Sequence, residues 1–227
     1  MKKFVKVMLT AVIAVMTFMT FTACSGAGDK MPDKLYWDKA FTDTGNALDA
    51  AEAGRNVTIS VKTSTKAKQN GNKYTSNEKS KIYIRGDNAA YFTPSTDGVV
   101  YQGKASDGKY YQYFHNGRGE YTLNNKFAAD GRYAQAGIDF SYKDNYDLFD
   151  LKGGKYVLNV YKYKEKYKNT MSQDSNFNRF DKIKISVSFR NGRVYQIRHY
   201  YKSKVVTLDS IVLYKFGNTG DIVLPSV

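Results

Sequence analysis

The stretch from Ile183 to Tyr201 constrains this chain more than any other. Ile183, Ile185, Val187 and Phe189 alternate with Lys184, Ser186 and Ser188. In an extended strand successive side chains point to opposite sides, so this alternation makes one apolar and one polar face. Asn191-Gly192 follows. That pair tolerates the positive φ angles of a two-residue hairpin turn. Val194 to Tyr201 then supplies the returning strand. A lone hairpin is at best marginal in water, so this one requires more strands beside it and something to cover its apolar face.

More strands are readily found. Val57, Ile59 and Val61 alternate with Thr58, Ser60 and Lys62, and after a turn at Gln69 to Gly71 the chain returns over Tyr74 to Ile84. Gly86-Asp87-Asn88, Asp97-Gly98 and Asp107-Gly108 then punctuate three short segments, Ala89 to Thr93, Val99 to Gly103 and Lys109 to Phe114. This is the grammar of an antiparallel meander. Tyr156 to Tyr161 and Val205 to Phe216 complete a second block, giving about eight or nine strands. The 20 Tyr and 13 Phe of the chain suit strands. One helix is expected, over Leu35 to Ala53, because Trp37, Ala40, Phe41, Thr44, Leu48 and Ala51 recur at steps of three and four. Asp33 would cap its start and Gly54 stop it. Asn116 to Asp150 reads as an irregular middle with short helices at Phe127 to Ala136 and Tyr142 to Phe149. Lys162 to Phe180 reads as a basic excursion.

The N-terminus belongs to a different grammar. Lys2, Lys3 and Lys6 precede an apolar run from Val7 to Phe21, which ends in Phe21-Thr22-Ala23-Cys24-Ser25-Gly26. A basic start, a short apolar stretch and a small-residue exit make a secretory signal peptide. The exit resembles the lipobox of bacterial lipoproteins, with Phe21 standing where Leu is usual. On that reading residues 1–23 are removed, Cys24 carries the acyl chains, residues 24–34 are a tether and residues 35–227 are one domain. The chain is then extracytoplasmic and lipid-anchored to the bacterial cell membrane. Cys24 is the sole cysteine, so the domain has no disulfide to lean on. The net charge of +14 fits anionic lipids or wall polymers as partners, and export argues against nucleic acid.

No constellation for chemistry emerges. His115 and His199 have no acid at ligand spacing, and no pattern for a metal, phosphate cradle or other cofactor is present. Asp144, Asp147 and Asp150, spaced by three, read as a solvated helix face. Tyr161 to Lys168 interleaves Tyr with Lys, which fits either a lipid-facing or polymer-facing surface, or a strand end whose lysines block edge pairing.

The order of parts is similar to the LolA/LppX-type lipoproteins. The resemblance lies in Phe149 to Leu158, in Ile183 to Val194 and in Tyr214-Lys215-Phe216-Gly217 followed by Ile222 to Pro225. It implies an α+β, mainly β fold: a strongly curved antiparallel sheet, or half-barrel, with the N-terminal helix and short helices against its concave face. It also implies a non-enzymatic protein that binds or carries a lipid, acyl chain or other apolar ligand. Val57, Ile59, Val61, Ile183, Ile185, Val187 and Phe189 are the positions expected to face the concave side, where they would line either such a cavity or a solid core. The competing expectation is a cationic surface protein that binds anionic wall polymers or another surface protein.

Overall fold

The computed structural model describes residues 32–49, 56–92, 98–115, 120–124, 140–172 and 175–226. The expected leader, Cys24, most of the tether and the expected helix Phe127 to Ala136 lie outside them. Helix α1 spans Pro32–Asp49. It starts one residue before Asp33, the expected cap, because a proline in the first helical turn has no amide to leave unpaired and its φ already suits the helix.

The strands are β1 (Asn56–Gln69), β2 (Asn72–Arg85), β3 (Asn88–Phe92), β4 (Val99–Lys104), β5 (Tyr110–His115) and β6 (Tyr121–Asn124) in the first block. The second block is β7 (Phe149–Lys152), β8 (Lys155–Leu158), β9 (Lys182–Arg190), β10 (Arg193–Lys202) and β11 (Val206–Phe216). All belong to a single 11-stranded sheet in the order β6-β5-β4-β3-β2-β1-β11-β10-β9-β8-β7. Two meanders are therefore joined where the first strand pairs antiparallel with the last, from Val57 opposite Phe216 to Ala67 opposite Val206. The sheet is open, with β6 and β7 at its edges. A right-handed twist of roughly 20–25° per strand pair accumulates across a sheet this wide.

The long hairpins close as their sequences require. Asn70 and Gly71 have φ of 51° and 79°, and Asn191 and Gly192 have 51° and 71°. Both residues of each pair lie in the left-handed region that a tight hairpin turn demands. Four-residue β6 and β7 carry too little pattern to be read in advance, and they raise the strand count above expectation.

Between the blocks lies a 3-10 helix, Phe140–Leu148, kinked at Asn145. Helix α2 (Val160–Tyr167) and the single turn α3 (Asn176–Arg179) follow β8. The expected strand Tyr156 to Tyr161 is thus cut short. Asn159 caps α2, its side chain accepting from the Lys162 amide at 3.2 Å, and the Tyr/Lys alternation winds into a helix.

The C-terminal tail crosses the sheet on the side away from the helices. Asn56 anchors its start through the Gly217 and Thr219 amides, at 2.8 and 2.7 Å. Thr58 on β1 meets Thr219 at 2.9 Å, and Asn88 on β3 donates to the Ile222 carbonyl at 2.9 Å. Gly103 on β4 lies under the tail: an added Cβ would run into the Asn88 amide oxygen and come within 2.9 Å of Leu224.

Candidate functional site

Strand register sorts the sheet into rows that run across it. One row on the inner face is Val61, Val212, Ile197, Val187 and Tyr156. The next is Thr63, Ser210, His199 and Ile185, and the next Thr65, Leu208, Tyr201 and Ile183. On the other side of β1, Ile59 leads to Ile82, Tyr91 and Val100. All seven expected lining residues therefore share this face. Val57, Ile59, Ile185 and Val187 are fully buried, whereas Val61, Ile183 and Phe189 are only partly so.

Helix α1 seals one end of the face. Its Trp37, Ala40, Phe41, Thr44 and Leu48 are buried, the stripe that the helical spacing predicts. Trp37 packs 4.9 Å from Phe149 and from Tyr156, and 5.4 Å from Phe189, centroid to centroid. Its indole N–H donates to the Lys143 carbonyl at 3.0 Å, which ties α1 to the 3-10 helix. Thr44 does what no apolar residue in the stripe could. Its hydroxyl donates to the Ala40 carbonyl at 2.6 Å and accepts from the Val194 amide at 2.8 Å. The β9–β10 register slips between Val194 and Gln196. A buried amide without a partner costs about 1–3 kcal/mol, and Thr44 supplies the partner at that irregularity. Helical spacing placed Thr44 inward but gave no sign of this role.

Helices α2 and α3 cover another part. Tyr163 is buried and stacks on Phe177 at 4.1 Å with rings 16° apart. Tyr167 donates to the Asn145 side chain at 2.6 Å. The Tyr/Lys segment is therefore neither a strand end nor a uniform surface. At a helical step of four, Tyr163 and Tyr167 turn inward, while Tyr161 and the lysines stay exposed. Met171, Phe180 and Ile183 are partly buried against the same core.

A polar seam interrupts the apolar face. Thr63 and Ser210 hydroxyls lie 3.3 Å apart, and the Tyr142 hydroxyl lies 2.8 Å from His199 Nε2. His199 stacks parallel to Tyr201. Burial pushes the His199 imidazole down to about 4, so it is neutral at ordinary pH. Its Nδ1 and the Thr65 hydroxyl are buried with no hydrogen-bond partner among the described residues.

The remaining expectations disperse. His115 sits at the end of β5, edge-on to Tyr121 at 5.4 Å. Asp144 and Asp147 are on the 3-10 helix, but Asp150 is on β7, where Lys152 and Lys162 flank it. The three aspartates therefore share no helix face. A cleft of about 490 Å³ opens where α1 meets the ends of β1, β10 and β11, lined by Asp43, Asn46, Ala47, Asn56, Arg193 and Phe216 among others. Its acid, Asp43, is paired with Lys39 at 2.7 Å. Among the described residues no group of three or more His, Cys, Asp or Glu could hold a metal ion, and no helix is long and apolar enough to cross a membrane.

No family model matches the chain, and neither does any curated protein. Solved structures with a similar arrangement include a LolA superfamily protein from Nitrosomonas europaea. It is 10% identical, with a TM-score of 0.29 over 81% of this chain and 94% of that one. An outer membrane lipoprotein-sorting protein domain from Vibrio parahaemolyticus, assigned that role only provisionally, is 9% identical, with a TM-score of 0.25 over 79% and 92%. A DUF1329 family protein from Desulfovibrio piger is 11% identical, with a TM-score of 0.22 over 86% and 96%. At such distances the function of this chain has to come from its own residues.

Proposed function

We propose that this chain is a non-enzymatic, extracytoplasmic protein, tethered through an acylated Cys24, that binds or carries a lipid, acyl chain or similar apolar ligand on the inner face of its sheet. The observation that carries this reading is the uneven cover of that face. Under α1 Val57, Ile59 and Val187 are inaccessible, while Phe189, packed on Trp37 and Phe41, is partly buried. Away from it Val61 and Ile183, with Met171 and Phe180, keep part of their surface open. Incompletely covered apolar surface gains roughly 25 cal/mol for each Å² an apolar ligand buries.

The test is uptake of a fluorescent fatty acid by the purified chain. One saturable site per chain is expected. Val61→Trp, which fills the open part of the face with its own side chain, should abolish uptake while the circular dichroism spectrum stays unchanged. No saturable uptake by the wild-type chain, or equal uptake by Val61→Trp, would sink the proposal.

A further inference from the structure

The outer face of the same sheet has a separate chemistry. Register places positively charged side chains directly opposite one another: Lys62 faces Lys79, Lys68 faces Lys73, and Lys182 faces Lys202. All six are exposed. None has an ion pair among the described residues. Like charges placed directly opposite on a sheet oppose its pairing. Within the outward positions of β9, β10, β11, β1 and β2 there is one acid, Asp209, and Arg198 already engages it at 2.6 and 2.8 Å. The tail, which covers Thr58 and Asn88, leaves these lysines open.

We infer that this outer face docks on an anionic lipid surface. The two partners of each pair stand on adjacent strands about 4.8 Å apart, Lys62/Lys79 and Lys68/Lys73 lie six residues, about 20 Å, apart along β1 and β2, and Lys182/Lys202 lies across β11 on β9 and β10, so the charge extends in two dimensions. A layer of acidic headgroups can neutralise such an array all at once, whereas a single polyanion chain can follow only one row. Neutralisation would also relieve the three opposed pairs. The inference concerns the face opposite the ligand surface, and it stands or falls separately from the reading above.

The experiment is lysine footprinting of the full chain on vesicles. The chain is bound to vesicles of phosphatidylglycerol and phosphatidylcholine in equal parts, or of phosphatidylcholine alone. It is then pulsed with an amine acetylating reagent and mapped by mass spectrometry. Any lipid anchor holds the chain to both vesicle types, so attachment alone cannot produce a difference. The six opposed lysines should react about tenfold more slowly on the anionic vesicles. The protection should vanish in about 1 M salt, where the screening length falls to about 3 Å. Lys164 and Lys168 of α2 should react alike on both. The variant K62Q/K79Q/K182Q/K202Q should lose the protection of Lys68 and Lys73 while its melting temperature holds or rises. Equal reactivity on the two vesicle types would overturn the inference. So would equal protection by soluble poly(glycerol phosphate) without vesicles, which would identify a linear polymer, or a lowered melting temperature in the variant, which would make the lysines part of the fold.

Discussion

Acid should weaken this fold through one imidazole. His199 is buried on the inner face, and burial holds it down to about 4, against about 6.5 in an unfolded chain. Between those values the unfolded chain binds a proton that the folded chain refuses, so stability falls as pH falls. The contribution is fully present above about 6.5 and lost progressively toward 4. A difference of about 2.5 pH units corresponds to about 3 kcal/mol at the acid limit, and to about 2 kcal/mol between pH 7.5 and pH 5. Urea denaturation at those two pH values should show this loss. His199→Phe should remove most of it, since the remaining titrating groups are common to both proteins. With only two histidines in the chain, NMR titration can follow the His199 ring directly. A titration midpoint near 6.5, or the same pH dependence in His199→Phe, would refute the reasoning.

Other outcomes follow from the contacts of α1 and of the tail. Thr44→Val keeps the shape but strands the buried Val194 amide, and should cost about 1–3 kcal/mol in urea denaturation. Trp37→Ala empties the site where three inner-face rings, Phe149, Tyr156 and Phe189, meet the helix and should cost about 3–5 kcal/mol by the same measurement. Gly103→Ala pushes a methyl into Asn88 and Leu224 and should cost about 1–3 kcal/mol, with faster amide exchange confined first to residues 219–224.

Alternation along β1, β9 and β10 made the long strands, the shared inner face and the Asn191-Gly192 turn legible from sequence, because a period of two leaves few other structures. The stripe on α1 was legible for the same kind of reason. The Tyr161 to Lys168 segment misled because Lys at every second position looks like the polar side of a strand end, while the helix uses the step of four between Tyr163 and Tyr167. Thr44 could be placed inward but not matched to Val194, a partner 150 residues away. The opposed lysines were equally hidden. Lys62 and Lys79 are ordinary charges until the register of β1 on β2 sets them face to face. Long-range pairing, rather than local preference, decides both.

The bond between the first strand and the last has a consequence for biogenesis. Until β11 has emerged, the sheet has no centre, and β1 and β10 each present a long unsatisfied edge. Assembly must wait for contacts separated by roughly the whole domain, which slows folding. A nascent chain stopped before Val206 should therefore yield two sticky half-sheets instead of a smaller protein, and a precipitate where the complete chain stays in solution.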